Sequence, residues 1–241
     1  MESTLKRTWA EIDLDALAHN YGRLRQHIGP KVRFLGVVKA DAYGHGAVQV
    51  ARTLQELGAD YLAVSSIDEA MELRANGVTM PVLILGHTPK EQVGRLIEHH
   101  ITQAVTCKAK ALEYSREAAA LGGTLKIHIK VDTGMSRLGF RVDEAAELAD
   151  YLRTLKEVRP VLVMSHLAAS DTPALDDFTH EQARRFHEAT ESMKAVFPGL
   201  KTSLTNSPGL LCWPSYVGDL ARPGVTLYGG NPLHGTDRAK L

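Results

Sequence analysis

Eight apolar segments rich in β-branched residues alternate with amphipathic segments along most of the chain, and this alternation limits the possible folds most strongly. An apolar run followed by a helical pattern, repeated many times, is typical of a parallel sheet covered by helices. Eight repeats favour a (β/α)8 barrel of the TIM type, with a doubly wound open sheet as the alternative. The predicted strands are 33–39, 61–66, 81–86, 101–106, 125–131, 161–166, 202–206 and 221–229, and the predicted helical segments include 47–58, 67–76, 89–98, 109–121, 143–154 and 179–196.

The segment 9–14 precedes the first barrel strand and alternates in polarity as a strand does. It is followed by a helix that we predict to begin at Asp13 or Asp15. Because the eight barrel strands all lie later in the chain, this early strand is expected to pair outside the barrel. The predicted division is 1–32 for the N-terminal strand and helix, 33–230 for the barrel, and 231–241 for a loose polar tail.

The charge balance and the cysteines exclude several classes of protein. Lysine plus arginine and aspartate plus glutamate number 28 each, so no bulk attraction to nucleic acid or to a membrane surface is expected. No apolar run approaches the roughly 18 residues of a membrane span, and the first residues lack the apolar core of a signal peptide. Cys107 and Cys212 have no metal-binding spacing. We expect a cytoplasmic protein with a small-molecule ligand and no bound metal.

The stretch "GVVKADAYGHGA" places Lys39 at the end of the first predicted barrel strand. In such barrels, functional groups collect where strands end and loops begin. A lysine desolvated at that position has a lowered pKa and can form a Schiff base with a carbonyl. A lysine that ends a strand and reaches into solvent is an equally weighted alternative.

The stretch "LKIHIKVDTGMSRLGF" contains a second group of ionisable residues. With the period of two that a strand imposes, Lys126, His128, Lys130 and Asp132 share one face, which we predict to point into the barrel. Ionisable groups on an interior face are costly unless they are paired, so they indicate a site. Arg137 follows in the loop, where a guanidinium can bind a carboxylate; an ordinary surface arginine is the alternative.

Further candidates follow the last three predicted strands. His166 ends the sixth strand, although a packed structural histidine is the alternative there. Asn206 and Ser207 precede a proline, which is typical of a helix start with free N–H groups that favour an anion. Arg222 and Gly224 lie in the eighth strand, and barrels often bind phosphate after strands seven and eight. A reactive lysine, a phosphate site and a carboxylate-binding arginine together indicate a pyridoxal phosphate enzyme that acts on amino acids.

Six stretches taken in order resemble alanine racemases over essentially the whole chain: "WAEIDLDALAHN", "VVKADAYGHGA", "KVDTGMSRLGF", "SHLAASD", "TNSPG" and "ARPGVTLYG". The lysine stretch and "DTGMSRLGF" are the most specific of them. The resemblance implies a fold-type III pyridoxal 5'-phosphate enzyme that interconverts L- and D-alanine, an isomerase of D-alanine and peptidoglycan-precursor synthesis. It leaves open whether serine or another amino acid competes with alanine.

The resemblance also implies roles for individual residues. Lys39 would hold the cofactor and act as one of two catalytic bases. Tyr43 would hydrogen-bond the cofactor phosphate. Ser207 would complete the phosphate site with the backbone N–H groups near Gly224 and Val225.

The remaining implied roles concern the pyridine ring and the substrate. Arg222 would face the pyridine nitrogen, supported by His166. Arg137 would contact the phenolic oxygen of the cofactor and the substrate carboxylate. Lys130 matches a position that family members often carry as a carbamate, which would orient Arg137. Asn206 would lie beside the phosphate.

The chain departs from the family pattern after the barrel. Alanine racemases continue into a β-rich C-terminal domain, which supplies the second base, a tyrosine, to the partner subunit of a homodimer. We expect this domain to be absent from the 241 residues, which would leave the isolated chain impaired and its oligomeric state open. The alternatives are a pyridoxal-phosphate-binding barrel of the cofactor-homeostasis kind, without catalysis, and a structural domain with a vestigial site.

Overall fold

The computed structural model describes residues 8–233, and within this range strands alternate with helices as the sequence predicts. The strands are β1 (Arg33–Val37), β2 (Tyr61–Val64), β3 (Val82–Ile84), β4 (Ile101–Val105), β5 (Leu125–Asp132), β6 (Phe140–Arg141), β7 (Val158–Met164), β8 (Lys201–Ser203) and β9 (Leu220–Ala221). The helices are α1 (Leu14–Ile28), α2 (Lys39–Gly44), α3 (Ala47–Glu56), α4 (Ile67–Ala75), α5 (Val93–Glu98), α6 (Lys108–Ala120), α7 (Ala145–Thr154), α8 (Asp176–Val196) and α9 (Ser207–Cys212).

Eight of these strands form a nearly closed parallel barrel in the order β8-β7-β5-β4-β3-β2-β1-β9. The two-residue strand β6 lies outside this path and pairs with β5. At the seam, the N–H of Asp219 donates to the carbonyl of Thr202 at 2.9 Å, and an isolated bridge joins Ser203 to Gly218. The predicted (β/α)8 barrel is confirmed, and the open-sheet alternative is wrong.

Two groups of buried apolar side chains follow from the alternation of the strands. One group, which includes Phe34, Ile127 and Leu148, packs between the sheet and the surrounding helices. The other group, which includes Leu35 and Met164, fills the inside of the barrel. Successive residues of a strand point to opposite sides, so each strand serves both layers. No helix in residues 8–233 is long and apolar enough to cross a membrane.

The N-terminal strand predicted at 9–14 is wrong, while the helix start is confirmed. Residues 8–13 have no regular secondary structure, and Trp9 is 68% exposed. No described strand lies beside them, and a lone extended segment cannot pair its backbone groups. Asp13 caps α1, accepting a hydrogen bond from the N–H of Ala16 at 2.9 Å. The predicted tail lies outside the described residues from position 234 onward.

The first and last barrel strands are shorter than predicted. β1 ends at Val37, so Lys39 begins the following turn rather than ending the strand. β9 ends at Ala221, and the segment predicted as its continuation forms a 3-10 helix at Val225–Tyr228. Pro223 has no N–H to donate to a neighbouring strand, which explains the early end.

Candidate active site

A cavity of about 430 Å³ lies at the carboxyl ends of the barrel strands. Each strand delivers to it the residues that follow its last paired position, as expected for a parallel barrel. All ten residues to which the family resemblance gives a role line this cavity: Lys39, Tyr43, Lys130, Arg137, His166, Asn206, Ser207, Arg222, Gly224 and Val225. We name it the carboxyl-end pocket.

The turn that follows β1 has an uncommon backbone. Ala40, Asp41, Ala42 and Tyr43 all have φ between 51° and 56°, so α2 is one turn of left-handed helix. Left-handed helical geometry costs L-residues about 1–2 kcal/mol each, or about 4–8 kcal/mol for the four. Strain of this size persists only where surrounding contacts enforce the conformation, and such places cluster at functional sites.

Two carboxylates enforce the left-handed turn. Glu69 on α4 accepts hydrogen bonds from the N–H of Ala40 at 2.8 Å and from the N–H of Ser65 at 2.6 Å. Asp41 accepts from the N–H of Ala47 at 2.7 Å and so joins the turn to α3. The turn thereby fixes Lys39 and Tyr43 on one wall of the carboxyl-end pocket.

The hydroxyl of Tyr43 reaches across the pocket to the loop after β9. A β-carbon added at Gly224 would lie 2.7 Å from that hydroxyl, so only glycine allows this approach. The ring of Tyr228 packs 5.2 Å from the Tyr43 ring, and its own hydroxyl donates to the carbonyl of Val37 at 2.8 Å. Burial raises the pKa of both phenols, so both stay protonated at neutral pH.

The start of α9 meets the same loop. Asn206 caps the helix, accepting from the N–H of Gly209 at 3.1 Å. The hydroxyl oxygen of Ser207 accepts hydrogen bonds from the N–H of Gly224 at 2.9 Å and of Thr226 at 3.3 Å. The side chain of Asn206 also accepts a hydrogen bond from the hydroxyl of Ser170 and donates to the carbonyl of Leu167. These hydrogen bonds connect the start of α9 to the loop after β7.

Arg222 forms the deep end of the pocket and is buried. Its two terminal nitrogens donate to the hydroxyl of Ser203 and to the carbonyls of Ser165 and Leu204. Its Nε has no hydrogen-bond partner among the described residues. These bonds fix the guanidinium on β7 and β8. The imidazole of His166 bonds the amide of Asn206 at 3.4 Å rather than Arg222.

Arg137 lies in a loop that Asp132 organises. The carboxylate of Asp132 accepts from the N–H of Gly134 at 2.9 Å and of Ser136 at 3.0 Å. Gly139 has φ of 131°, and a β-carbon there would lie 2.7 Å from the N of Asp132. Only glycine therefore allows the loop to pack this close to β5. Arg137 has no ion pair with any described residue and is available to a ligand.

The comparisons with known proteins agree with this geometry. The family model of the alanine racemase N-terminal domain matches residues 12–232. The chain belongs to the alanine racemase family. The alanine racemase of Lawsonia intracellularis is 43% identical over 236 residues, which are 96% of this chain and 61% of that protein. The alanine racemase of Desulfovibrio desulfuricans is 40% identical over 235 residues, 96% of this chain and 62% of that protein.

Solved alanine racemases have the same fold. The enzyme of Clostridium difficile 630 in complex with cycloserine gives a TM-score of 0.92 at 33% identity, covering 99% of this chain and 66% of that one. The Bacillus anthracis enzyme with bound L-Ala-P gives a TM-score of 0.84 at 33% identity, covering 94% of this chain and 59% of that one. The chain spans 61% and 62% of the two curated relatives named above.

Positive charge dominates the electrostatics of the carboxyl-end pocket. Burial lowers the pKa of Arg222 to about 10, so the guanidinium stays charged at neutral pH. Burial, and then the charges of Arg222, Lys130, Arg137 and Lys39, lower the pKa of His166 to about 3, so its ring is neutral. Burial, followed by Arg222 and Arg137, lowers the pKa of Lys130 to about 7. The pocket is therefore suited to an anionic ligand.

The interior face predicted for β5 is confirmed at three of its four positions. His128 is buried, and Lys130 and Asp132 are half-buried. Lys126 is exposed, because it lies at the amino-terminal end of the strand, where the barrel opens to solvent.

Sequence analysis missed several residues of the site. Ser65, Gly86 and Ser165 line the pocket at the ends of β2, β3 and β7, where the strand-end rule could have found them. Glu69 carries a partial signal, because serine at 66 followed by glutamate three residues later is a capping-box pattern. That pattern predicts a hydrogen bond from the N–H of Ser66 to the glutamate side chain. The Glu69 carboxylate instead accepts from the N–H groups of Ala40 and Ser65.

Proposed function

We propose that the carboxyl-end pocket binds pyridoxal 5'-phosphate and catalyses proton exchange at the α-carbon of alanine, as one part of an alanine racemase. The observation that carries the proposal is the convergence of Lys39, Arg137, Ser207 and Arg222 on one cavity from four separate strand ends. These four side chains provide an amine, a carboxylate-binding group, a hydroxyl beside backbone N–H groups, and a fixed internal cation.

The residues present fit the cofactor. Ser207 and the loop at Gly224 form a cradle that a β-carbon would fill, with the hydroxyl of Tyr43 at its edge. A phosphate there would receive hydrogen bonds from Tyr43, Ser207 and the adjacent N–H groups, including that of Val225. Asn206 would act on this cradle indirectly, by capping the helix that carries Ser207.

The opposite end of the cavity suits a pyridine ring. Pyridoxal phosphate, when bound, withdraws electrons from the α-carbon of an attached amino acid and so lets its proton leave. Arg222 keeps its charge at neutral pH, and its free Nε–H can donate to a ring nitrogen without transferring a proton. That arrangement limits electron withdrawal and favours return of the proton to the α-carbon. His166, neutral and bonded to Asn206, would shape this end of the pocket.

Arg137 would bind the substrate carboxylate through its guanidinium. Lys130 would orient Arg137 after conversion to a carbamate, in which its neutral amine forms a bond to carbon dioxide and releases a proton. A pKa of about 7 leaves a large fraction of this amine uncharged at neutral pH, which the reaction requires. The carbamate would replace a cation with an anion among several positive groups.

Lys39 would hold the cofactor through its ε-amine and move the α-proton on its own side of the substrate. We assign no described residue to the opposite side. We infer that the 241-residue chain by itself exchanges the α-proton of D-alanine but forms little L-alanine. Exposed apolar side chains at the pocket rim, Leu138 and Val225, support a homodimer in which a second chain covers the opening.

Reductive trapping tests the cofactor and its attachment. The chain is mixed with pyridoxal phosphate, reduced with borohydride, digested and analysed by mass spectrometry. We expect the modified peptide to contain Lys39, and the Lys39→Ala variant to be unmodified there. Lys90→Ala, which removes an exposed lysine outside the carboxyl-end pocket, is the matched control and should label as the wild type does. Labelling spread evenly over surface lysines would contradict the proposal, whereas labelling at Lys39 without exchange would favour a non-catalytic cofactor-binding barrel.

A further inference from the structure

A second cavity, of about 930 Å³, opens at the amino-terminal end of the barrel strands, opposite the carboxyl-end pocket. Seven of its described lining residues are lysine or arginine, and among the described residues one, Asp219, is acidic. The whole chain has equal numbers of basic and acidic residues, so positive charge is concentrated here. We name this cavity the amino-end cavity.

Three of these cations occupy inward-facing strand positions at the open end of the barrel, where their side chains are exposed. Lys126 of β5 and Arg159 of β7 are direct neighbours in the parallel register. Arg33 of β1 is paired with Leu220 of β9, an interior apolar residue. The side chains that point into a barrel form layers, and these layers are commonly filled by branched apolar side chains. Cations in their place leave the cavity open and positively charged.

The charge of this layer is not neutralised within the described chain. Asp219 is engaged by Lys201 at 3.1 Å and by the N–H and hydroxyl of Thr202 at 2.9 Å and 3.0 Å. Arg33, Lys126 and Arg159 form no ion pair with any described residue. Three cations that line one cavity without a counter-charge favour an anion from solution.

An independent observation comes from the next layer of the barrel. The side chain of His128 lies directly above Lys126 on β5, lines the amino-end cavity, and is 1% exposed. Its Nδ1 is buried and has no hydrogen-bond partner. Burial and the charge of Arg222 lower the pKa of His128 to about 3, so the ring is neutral and can donate one N–H. Buried polar atoms without a partner are rare, and one at the inner end of a cavity indicates a missing ligand.

We propose that the amino-end cavity binds a small, multiply charged anion bearing phosphate or carboxylate groups. Arg33, Lys126 and Arg159 bind its charged groups, and the His128 ring turns its unpartnered Nδ1–H toward the cavity to donate to the group that enters deepest. Arginine and lysine form charge-assisted hydrogen bonds with both kinds of group. The proposal does not depend on pyridoxal phosphate binding, because the two cavities lie at opposite ends of the barrel.

The imidazole of His128 reports binding directly. The chain is labelled with 15N-histidine, saturated with pyridoxal phosphate, freed of excess cofactor by desalting, and titrated with pyrophosphate or with citrate at fixed ionic strength. We expect a saturable change of the His128 signal, and at least about tenfold weaker binding in the Lys126→Ala/Arg159→Ala double variant. The matched control Lys90→Ala/Arg116→Ala removes the same charge from exposed positions away from the cavity and should change affinity by less than about twofold. Arg33→Ala provides a second test should the double variant fail to fold.

The outcomes separate the possibilities. A response to pyrophosphate alone identifies phosphate as the recognised group, a response to citrate alone identifies carboxylate, and a response to both supports a general polyanion site. An unchanged His128 signal with both probes would overturn the proposal, as would equal weakening in the two double variants. Anion binding in the carboxyl-end pocket moves the His166 signal instead, so failure of the proposed function is recognised separately.

Discussion

Replacing Lys130 with methionine should stabilise the barrel, and the gain should depend on pH. Burial and the charges of Arg222 and Arg137 lower the Lys130 pKa from 10.5 to about 7. At about 1.4 kcal/mol for each factor of ten, this difference corresponds to at most about 5 kcal/mol. Lys130 is partly exposed, so relaxation and water reduce the expected gain to about 2–4 kcal/mol below pH 7.

The sign of the pH dependence follows from proton binding. Below pH 7 both the folded and the unfolded state hold the proton, and the folded state carries the full cost of the buried charge. Between pH 7 and 10.5 the unfolded state binds more protons, so the stability of the wild type rises with pH. The advantage of Lys130→Met should therefore shrink over this interval, to about 1 kcal/mol at pH 9.5.

Urea unfolding followed by circular dichroism measures this effect. Wild type and Lys130→Met are compared at pH 6 and pH 9.5, without cofactor and in buffer free of carbon dioxide. Lys126→Met is the matched control, since it removes an exposed lysine from the same face of β5. A gain that is equal at both pH values, or a loss of stability at pH 6, would refute the reasoning. Added bicarbonate should stabilise the wild type and leave Lys130→Met unchanged.

Three further predictions concern the turn after β1 and the phosphate cradle. Glu69→Ala should lower the free energy of unfolding by about 2 kcal/mol and weaken pyridoxal phosphate binding in an absorbance titration, because two N–H groups lose a charged acceptor. Glu69→Gln should restore part of the stability and part of the affinity. Equal effects of the two variants would contradict this prediction. Ala40→Gly should leave the urea midpoint unchanged or raise it, because glycine tolerates positive φ. Ala119→Gly on α6 should lower the free energy of unfolding by about 1 kcal/mol. Similar losses of stability in the two variants would contradict the left-handed turn. Gly224→Ala should weaken cofactor binding about tenfold by displacing Tyr43, with little change in stability; unchanged affinity would show that the approach is not essential.

The overall architecture could be predicted from sequence because it depends on a repeated pattern. Alternating strands and helices determine a barrel, and a barrel brings the ends of distant strands together. Lys39 and Arg222 are 183 positions apart in sequence, yet both were expected at one opening and both line it. Most of the candidate site was therefore available from topology and from the family motifs together.

Other features depend on contacts that no local pattern shows. Four consecutive residues with left-handed geometry at 40–43 could not be predicted locally, because the turn depends on hydrogen bonds from Ala40 to Glu69 on another helix and from Ala47 to Asp41. The early end of β9 follows from Pro223, whose effect on a strand depends on whether its neighbour needs a donor. The strand expected at 9–14 failed for a similar reason, because alternation indicates an extended segment but does not supply the partner that makes it a strand.

Proton NMR of D-alanine in deuterated buffer, with the chain and pyridoxal phosphate, tests most directly whether Lys39 moves a proton in this pocket. We expect the α-proton signal to decline while chiral analysis finds little L-alanine, and we expect the Lys39→Ala variant to cause no decline. Persistence of the signal with cofactor attached at Lys39 would contradict the proposed role of Lys39. Rapid formation of L-alanine would contradict exchange from one side and would require a second proton donor within the 241 residues.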